Sequence, residues 1–427
     1  GGGGGGGGDG GGGAAASATG GATVVTCTAP VNIAVVKYWG KRDTKLILPI
    51  NSSLSAALNM NDLCTTTTVV VSDSFDRDRL WLNGKEEEVT NARVLACLNG
   101  VRRLIDGGTT QNVHIISKNN FPTAAGLASS AAGYACLVFS LAAAYGVTNT
   151  ATPEVLSQVA RQGSGSACRS LLGGWVAWDQ GEKDDGSDSG ARQVAPASHW
   201  PDIRIFVCVV SADKKETSST VGMQTSVSTS ELLAHRATAI VPKRMQDMEA
   251  AIANRDFKRF AELTMKDSNQ FHATCLDTYP PIFYMNDTSR AVVRIITAFN
   301  AAGDEPRAAY TFDAGPNAVI YTLKKYENEL SRWLLHFFPS GGATDAATAA
   351  APTGASAEKY IADRFSSLPP INAATDLPDT VKDVAPRVGA LKYILTTTVG
   401  DGPQVVDTPM PLAEHYEGYD GGADSLL

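Results

Sequence analysis

No two cysteines in this 427-residue chain are spaced as C-x-x-C, and its seven (Cys27, Cys64, Cys97, Cys136, Cys168, Cys208, Cys275) are odd in number and scattered. That excludes a zinc ribbon and a disulfide framework, and reads as reduced thiols. No run approaches about 20 uninterrupted apolar residues, so no membrane-spanning helix is expected. The first residues show neither a basic segment followed by an apolar one nor an Arg-rich amphipathic pattern, so neither a secretory signal nor a transit peptide is read. The six histidines lack metal-ligand spacing, and no metal held by the protein is expected. G-x-x-x-x-G-K-[ST] and G-x-G-x-x-G are both missing, which excludes an ordinary P-loop and a dinucleotide fingerprint. The net charge of −8 lacks the positive excess of a broad nucleic-acid surface, though a local basic pocket stays open.

What is present is ordinary for a globular protein: 43% hydrophobic, 19% charged and 7% aromatic residues. The 41 glycines mislead, because 14 of them lie in the first 21 positions. Residues 1–22 form a Gly/Ala-rich tail with one charge, Asp9, and are expected to be disordered. The length allows roughly two or three domains. The expected division is 23–210 and 211–427, with a flexible Gly/Ala/Thr-rich insertion near 340–357.

β-rich runs predict strands at 23–27, 31–38, 65–71, 80–82, 113–117, 175–178, 203–211, 308–312, 318–322 and 391–399. Apolar spacing predicts helices over 92–105, 127–145, 153–161, 230–255, 256–266 and 288–301. Strands and helices mix without regular alternation, so the class is α+β rather than doubly wound.

Four segments combine residue types that bear chemistry. Phe121 to Gly133 joins a Pro-marked turn, small residues and Ser129-Ser130 to a long helix. This is either a phosphate cradle at a helix N-terminus or a buried Ala-rich helix with a Ser cap. Gly163 to Ser170 sets three hydroxyls and Arg169 in flexible backbone, either an anion site or a solvated loop. Asn32 to Asp43 ends an apolar strand in four charged side chains, either the rim of an acidic-substrate site or a solvated turn. Asp313 precedes a Gly-Pro-Asn turn, where an Asp is often only an Asx-turn residue.

These segments, in this order, resemble the GHMP kinase superfamily, and within it the mevalonate diphosphate decarboxylase family. Pro122 to Ala131 is similar to its phosphate-binding motif, with Ala where the kinases usually have extra Gly. Asn32 to Asp43, Gly163 to Ser170, Met265 to Cys275 and Tyr310 to Asn317 match further signatures. The resemblance implies a two-domain GHMP kinase-like fold, with an N-terminal ribosomal protein S5 domain 2-like half and a C-terminal ferredoxin-like α/β sandwich. It implies ATP-dependent decarboxylation of (R)-5-diphosphomevalonate to isopentenyl diphosphate, through phosphorylation of the 3-hydroxyl, on the route to isoprenoids and sterols. The alternatives are a kinase that phosphorylates a mevalonate derivative and stops, or a pseudoenzyme that only binds.

By the same resemblance, Asp313 is the base, Lys37 a cation near the reacting centre, and Arg169 the holder of the substrate carboxylate with Asn32. Tyr38, Lys41, Ser164, Ser166 and Arg79 fall to the diphosphate. Pro122, Ala125, Gly126, Leu127, Ser129 and Ser130 fall to ATP, with Mg2+ carried mainly by phosphate and water. A cytosolic homodimer without nucleic acid or membrane partners completes the expectation. The Ser425-Leu426-Leu427 end only loosely echoes a peroxisomal signal.

Overall fold

The computed structural model describes residues 17–19, 22–121, 129–210, 216–340, 365 and 367–407. The first sheet is built from β1 (Ser17–Thr19), β2 (Ala22–Pro30), β7 (Cys64–Ser72), β10 (Asn112–Asn119), β8 (Arg79–Leu82) and β9 (Lys85–Glu87) in that order, with β17 (Gln404–Val406) also on β2. The second runs β12 (Ala191–Ala195), β11 (Trp175–Trp178), β6 (Ser53–Ala57), β3 (Asn32–Val36). The third runs β14 (Ala308–Phe312), β15 (Ala318–Leu323), β13 (Ile203–Val209), β16 (Tyr393–Thr397). A short ribbon pairs β4 (Lys41–Asp43) with β5 (Leu48–Pro49).

Local chemistry explains the elements. The Thr-Thr-Thr-Thr-Val-Val-Val run of β7 is stiff at χ1 and suits a pleated surface. Helix α1 (Ala92–Arg102) starts at Asn91, whose side chain accepts from the Arg93 N–H. Helix α2 (Ser129–Ala144) is apolar nearly all round and packs on β2 and β7. Helix α3 (Pro153–Gly163) has Thr152 as N-cap and Pro153 in its first turn, as the sequence predicts. A core of α1, α2, α3 and the first sheet results.

Strand β13 shows how the remaining layers meet. Ile203, Ile205, Val207 and Val209 face a core shared with the second sheet and with helices α6 (Val241–Ala253) and α7 (Phe257–Asp277). Phe206 and Cys208 face the opposite core, against α8 (Asp287–Ala301) and α9 (Glu327–Phe337). Alternate side chains point to opposite faces, so a strand covered on both sides reads as continuously apolar.

Several expectations change. Strand β13, which the expected division puts in its first half, pairs with β15 and β16 in the third sheet. Strand β17, near the C-terminal end of the described residues, pairs antiparallel with β2 of the first sheet. The tail expected to end at 22 already holds β1, paired with Ala22–Val24. The predicted helix 230–255 is three pieces: α5 (Glu231–His235), a π-helical turn Arg236–Ile240, and α6. Pro242 lacks the N–H that an unbroken α-helix needs there. Helix α4 (Ser219–Thr229) was not read from the sequence, and α7 runs on to Asp277. The 340–357 insertion lies outside the described residues after Ser340.

Candidate active site

Two strand ends from different halves of the chain converge. Lys37 follows β3, and Asp313 follows β14. The Lys37 Nζ lies 2.6 Å from Asp313 Oδ1, with the lysine side chain 3% exposed and the aspartate 34% exposed. A buried ammonium needs a partner, and this carboxylate supplies it while keeping one edge toward solvent. Behind the pair, Asp267 of α7 accepts the Lys37 N–H at 2.8 Å. Burial alone would push the Asp267 carboxyl up. Arg236 and then Arg244 outweigh it and hold the group below its ordinary value. His272, one turn further along α7, is pushed down to about 4 by burial and then by the Lys37 charge, so it is neutral near pH 7.

Arg169 sits in a 3-10 turn, Gly165–Leu171, that buries most of its residues. The solvated-loop reading of this segment is therefore overturned. Arg169 Nη1 donates to Ser53 Oγ at 2.6 Å, and its Nε donates to Ser55 Oγ at 3.0 Å and to Asn32 Oδ1 at 3.3 Å. Asn32 is fixed in turn by donating to the Ser166 carbonyl and Ser170 Oγ. Every one of these acceptors is neutral, and among the described residues no carboxylate forms an ion pair with Arg169. Burial, the largest influence, lowers its pKa, and Asp313 is among the charges that act against this. A buried guanidinium within reach of Asp313 and held only by neutral groups is prepared for an anion.

Next to it, Tyr38 packs on Trp178 with ring centroids 4.7 Å apart, and its buried hydroxyl has no hydrogen-bond partner among the described residues. Burial pushes that hydroxyl far above its usual pKa, so it stays a donor. Lys41 is buried without an ion-pair partner among the described residues. Burial, then the Arg93 charge, lowers its pKa. Ser164 Oγ lies 3.4 Å from Ser166 Oγ and 3.4 Å from Ser130 Oγ, where α2 begins. These hydroxyls thus join the start of α2 to the Gly165–Leu171 turn, whose Gly165 lies against the Tyr38 ring, and Ser129 is the first residue of that helix. Pro122, Ala125, Gly126 and Leu127 lie outside the described residues.

Arg79 is not gathered with them. Its guanidinium forks onto Glu86, Nε–Oε1 at 2.8 Å and Nη2–Oε2 at 3.0 Å, and lies 4.5 Å from the Trp81 ring centroid in the β8–β9 hairpin. Arg93, absent from the sequence reading, stands instead beside Lys41, with Nη2 donating to Thr220 Oγ1 of α4 at 2.9 Å. Ser53, Ser55 and Arg236 were missed as well. No local pattern marks them, because their partners are far away in sequence.

Comparison with known proteins gives a consistent result. The family described as "Diphosphomevalonate decarboxylase-like N-terminal domain" matches residues 29–191, and "Mevalonate 5-diphosphate decarboxylase C-terminal domain" matches 205–406. A "Diphosphomevalonate decarboxylase" of Rattus norvegicus is 52% identical over 410 residues, covering 93% of this chain and 96% of that protein. The solved mevalonate diphosphate decarboxylase of Trypanosoma brucei is 36% identical, covers 91% of this chain and 100% of its own, and superposes with a TM-score of 0.78. Another solved structure, described as a complex with MVAPP, AMPPCP and magnesium, is 29% identical, covers 91% of this chain and 100% of its own, and has a TM-score of 0.69.

Proposed function

The chain belongs to the diphosphomevalonate decarboxylase family, and from that premise we propose how its own residues carry the reaction. The activity is ATP-dependent decarboxylation of (R)-5-diphosphomevalonate. The tertiary 3-hydroxyl is a poor leaving group, so it is first phosphorylated. Its oxygen bonds to the γ-phosphorus as the bond to ADP breaks, and its proton passes to Asp313. The C3–O bond then breaks with phosphate leaving. The C1–C2 bonding pair becomes the new C2=C3 double bond as CO2 departs.

One observation carries this reading: Asp313, part exposed, is paired at 2.6 Å with the buried ammonium of Lys37. A base must first be within reach of the proton it removes. Lys37 fixes the Asp313 carboxylate and adds positive charge where the phosphoryl group passes. Arg169, with Asn32, takes the substrate carboxylate in two-point contact. Tyr38, Lys41, Ser164 and Ser166 take the diphosphate, and we put Arg93 in the place first given to Arg79. The α2 start, with Ser129 and Ser130, takes the ATP phosphates.

Among the described residues no group of three or more His, Cys, Asp or Glu could hold a metal. Hydroxyls and one carboxylate fit a Mg2+ ion carried mainly by phosphate and water. When bound, it supplies neutralising charge to phosphate oxygens. The homodimer is carried over from the resemblance, and the cytosolic location from the odd, scattered cysteines; no helix among the described residues is long and apolar enough to cross a membrane.

The experiment is a coupled assay with purified protein, ATP and 5-diphosphomevalonate, reading ADP and CO2 together. Equal amounts of both support the decarboxylase. ADP with a stable phosphorylated acid means a kinase that stops, and no ADP means a binding protein.

A further inference from the structure

Lys37 is gripped at its backbone as well as at its side chain. Its N–H donates to Asp267 Oδ1 at 2.8 Å, and its carbonyl accepts from Arg236 Nη2 at 3.1 Å. The same guanidinium forks onto Asp267, with Nη2–Oδ1 and Nη1–Oδ2 both 2.9 Å. Arg236, Asp267 and the Lys37 peptide therefore close a ring of hydrogen bonds. Asn51 Nδ2 adds a second donor to the Lys37 carbonyl at 3.0 Å. Arg244 Nη1 also reaches Asp267, at 2.8 Å, but its contacts are to Asp267 and Gln270 rather than to Lys37.

Arg236 and Asp267 are both 0% exposed. Burying such ions is expensive, and apolar residues of similar volume often stabilise a fold as well or better. Stability alone is thus a weak reason for this cluster. Its geometry offers a stronger one. The ring spans the two halves of the chain, holding the end of β3 against α7 and the π-helical turn. Helix α7 also receives the Asp313 side of the site: Ser268 Oγ, next to Asp267, accepts the Phe312 N–H at 3.0 Å. Neighbouring residues of one helix therefore hold the backbone beside both members of the Lys37–Asp313 pair.

We propose that Arg236 and Asp267 are positioning residues, which lock the Lys37 peptide to α7 so that its ammonium meets Asp313 in the reactive geometry. The proposal rests on the reading of Lys37 and Asp313 given above. A displacement of about 1 Å at such a pair is enough to cost on the order of 100-fold in rate.

The test compares Arg236→Lys with Arg244→Lys in the full chain. Lysine keeps the charge but loses the fork that holds Asp267 and the Lys37 carbonyl together. Arg236→Lys is expected to lower kcat about 10- to 100-fold. The KM values for ATP and 5-diphosphomevalonate should move less than about 3-fold, because ground-state binding is kept. Arg244→Lys, which alters the same carboxylate without touching Lys37, should keep kcat within about 3-fold. In a Lys37→Met background, Arg236→Lys should cost nothing further, since the group it positions is gone.

A merely structural role predicts otherwise. Both lysine variants would then lose kcat in step with thermal stability, and Arg236→Lys would cost the same factor with or without Lys37. Either result overturns the proposal. If Arg236→Lys does not fold, Asn51→Ala takes its place, with the same loss confined to kcat and the same silence in Lys37→Met; unchanged kcat overturns it. Near-normal turnover in Lys37→Met would instead defeat the underlying reading of the pair.

Discussion

Asp313 Oδ1 lies 2.6 Å from Lys37 Nζ although the two residues are 276 positions apart. The pair exists only because β3 and β14, both packed on α7, end at the same place. A cation sealed at one end and a carboxylate open at the other give the site its direction.

Arg169 gives the first prediction. Held by Ser53, Ser55 and Asn32, it keeps its charge in Arg169→Lys but loses its planar fork. We expect kcat/KM for 5-diphosphomevalonate to fall about 100-fold, with KM for ATP little changed. Steady-state kinetics with each substrate varied in turn checks this. An equal loss for both substrates would point to general damage.

Gly165 gives a steric prediction. A Cβ there would meet the Tyr38 ring at 2.8 Å. Real Cβ atoms do not approach so closely, so Gly165→Ala must push the ring aside. KM for 5-diphosphomevalonate should rise about 10-fold or more through the lost diphosphate donor. Unchanged KM would remove Tyr38 from the substrate pocket.

Acid stability follows from His272, whose pKa burial and then Lys37 push down to about 4. The unfolded chain binds this proton near pH 6.5 and the folded chain only near 4. Between those values the unfolded state holds more protons, so stability falls as pH drops through that window. The full loss is on the order of 3 kcal/mol. Denaturant melts at pH 7 and pH 5 should show a smaller drop for His272→Gln than for wild type. An equal drop would assign the acid sensitivity elsewhere.

Much of this was legible where the signal is local. The β-branched run of β7, the Thr152-Pro153 start of α3 and the apolar strand β13 are written in adjacent residues. The segments around Lys37, Arg169 and Asp313 combine charge with turns, but local chemistry leaves each open between a site and an ordinary turn or loop, and only the family resemblance assigns their roles. What failed was long-range. Nothing near Arg236 indicates Asp267, 31 residues on, or the Lys37 carbonyl, 199 residues back. Nothing local tells Arg79 from Arg93; in the fold Arg79 forks onto Glu86, while Arg93 stands beside Lys41 and donates to Thr220. The sheet that takes β13 is likewise decided by its partners β15 and β16, which lie over 100 residues away.

The most direct measurement is turnover of Asp313→Asn, with ADP and CO2 read together and ATP binding measured alongside. Asparagine keeps the shape and removes the base. The account predicts a loss of about 1,000-fold or more in both products at nearly unchanged ATP affinity. Near-normal release of ADP and CO2 by this variant would contradict it.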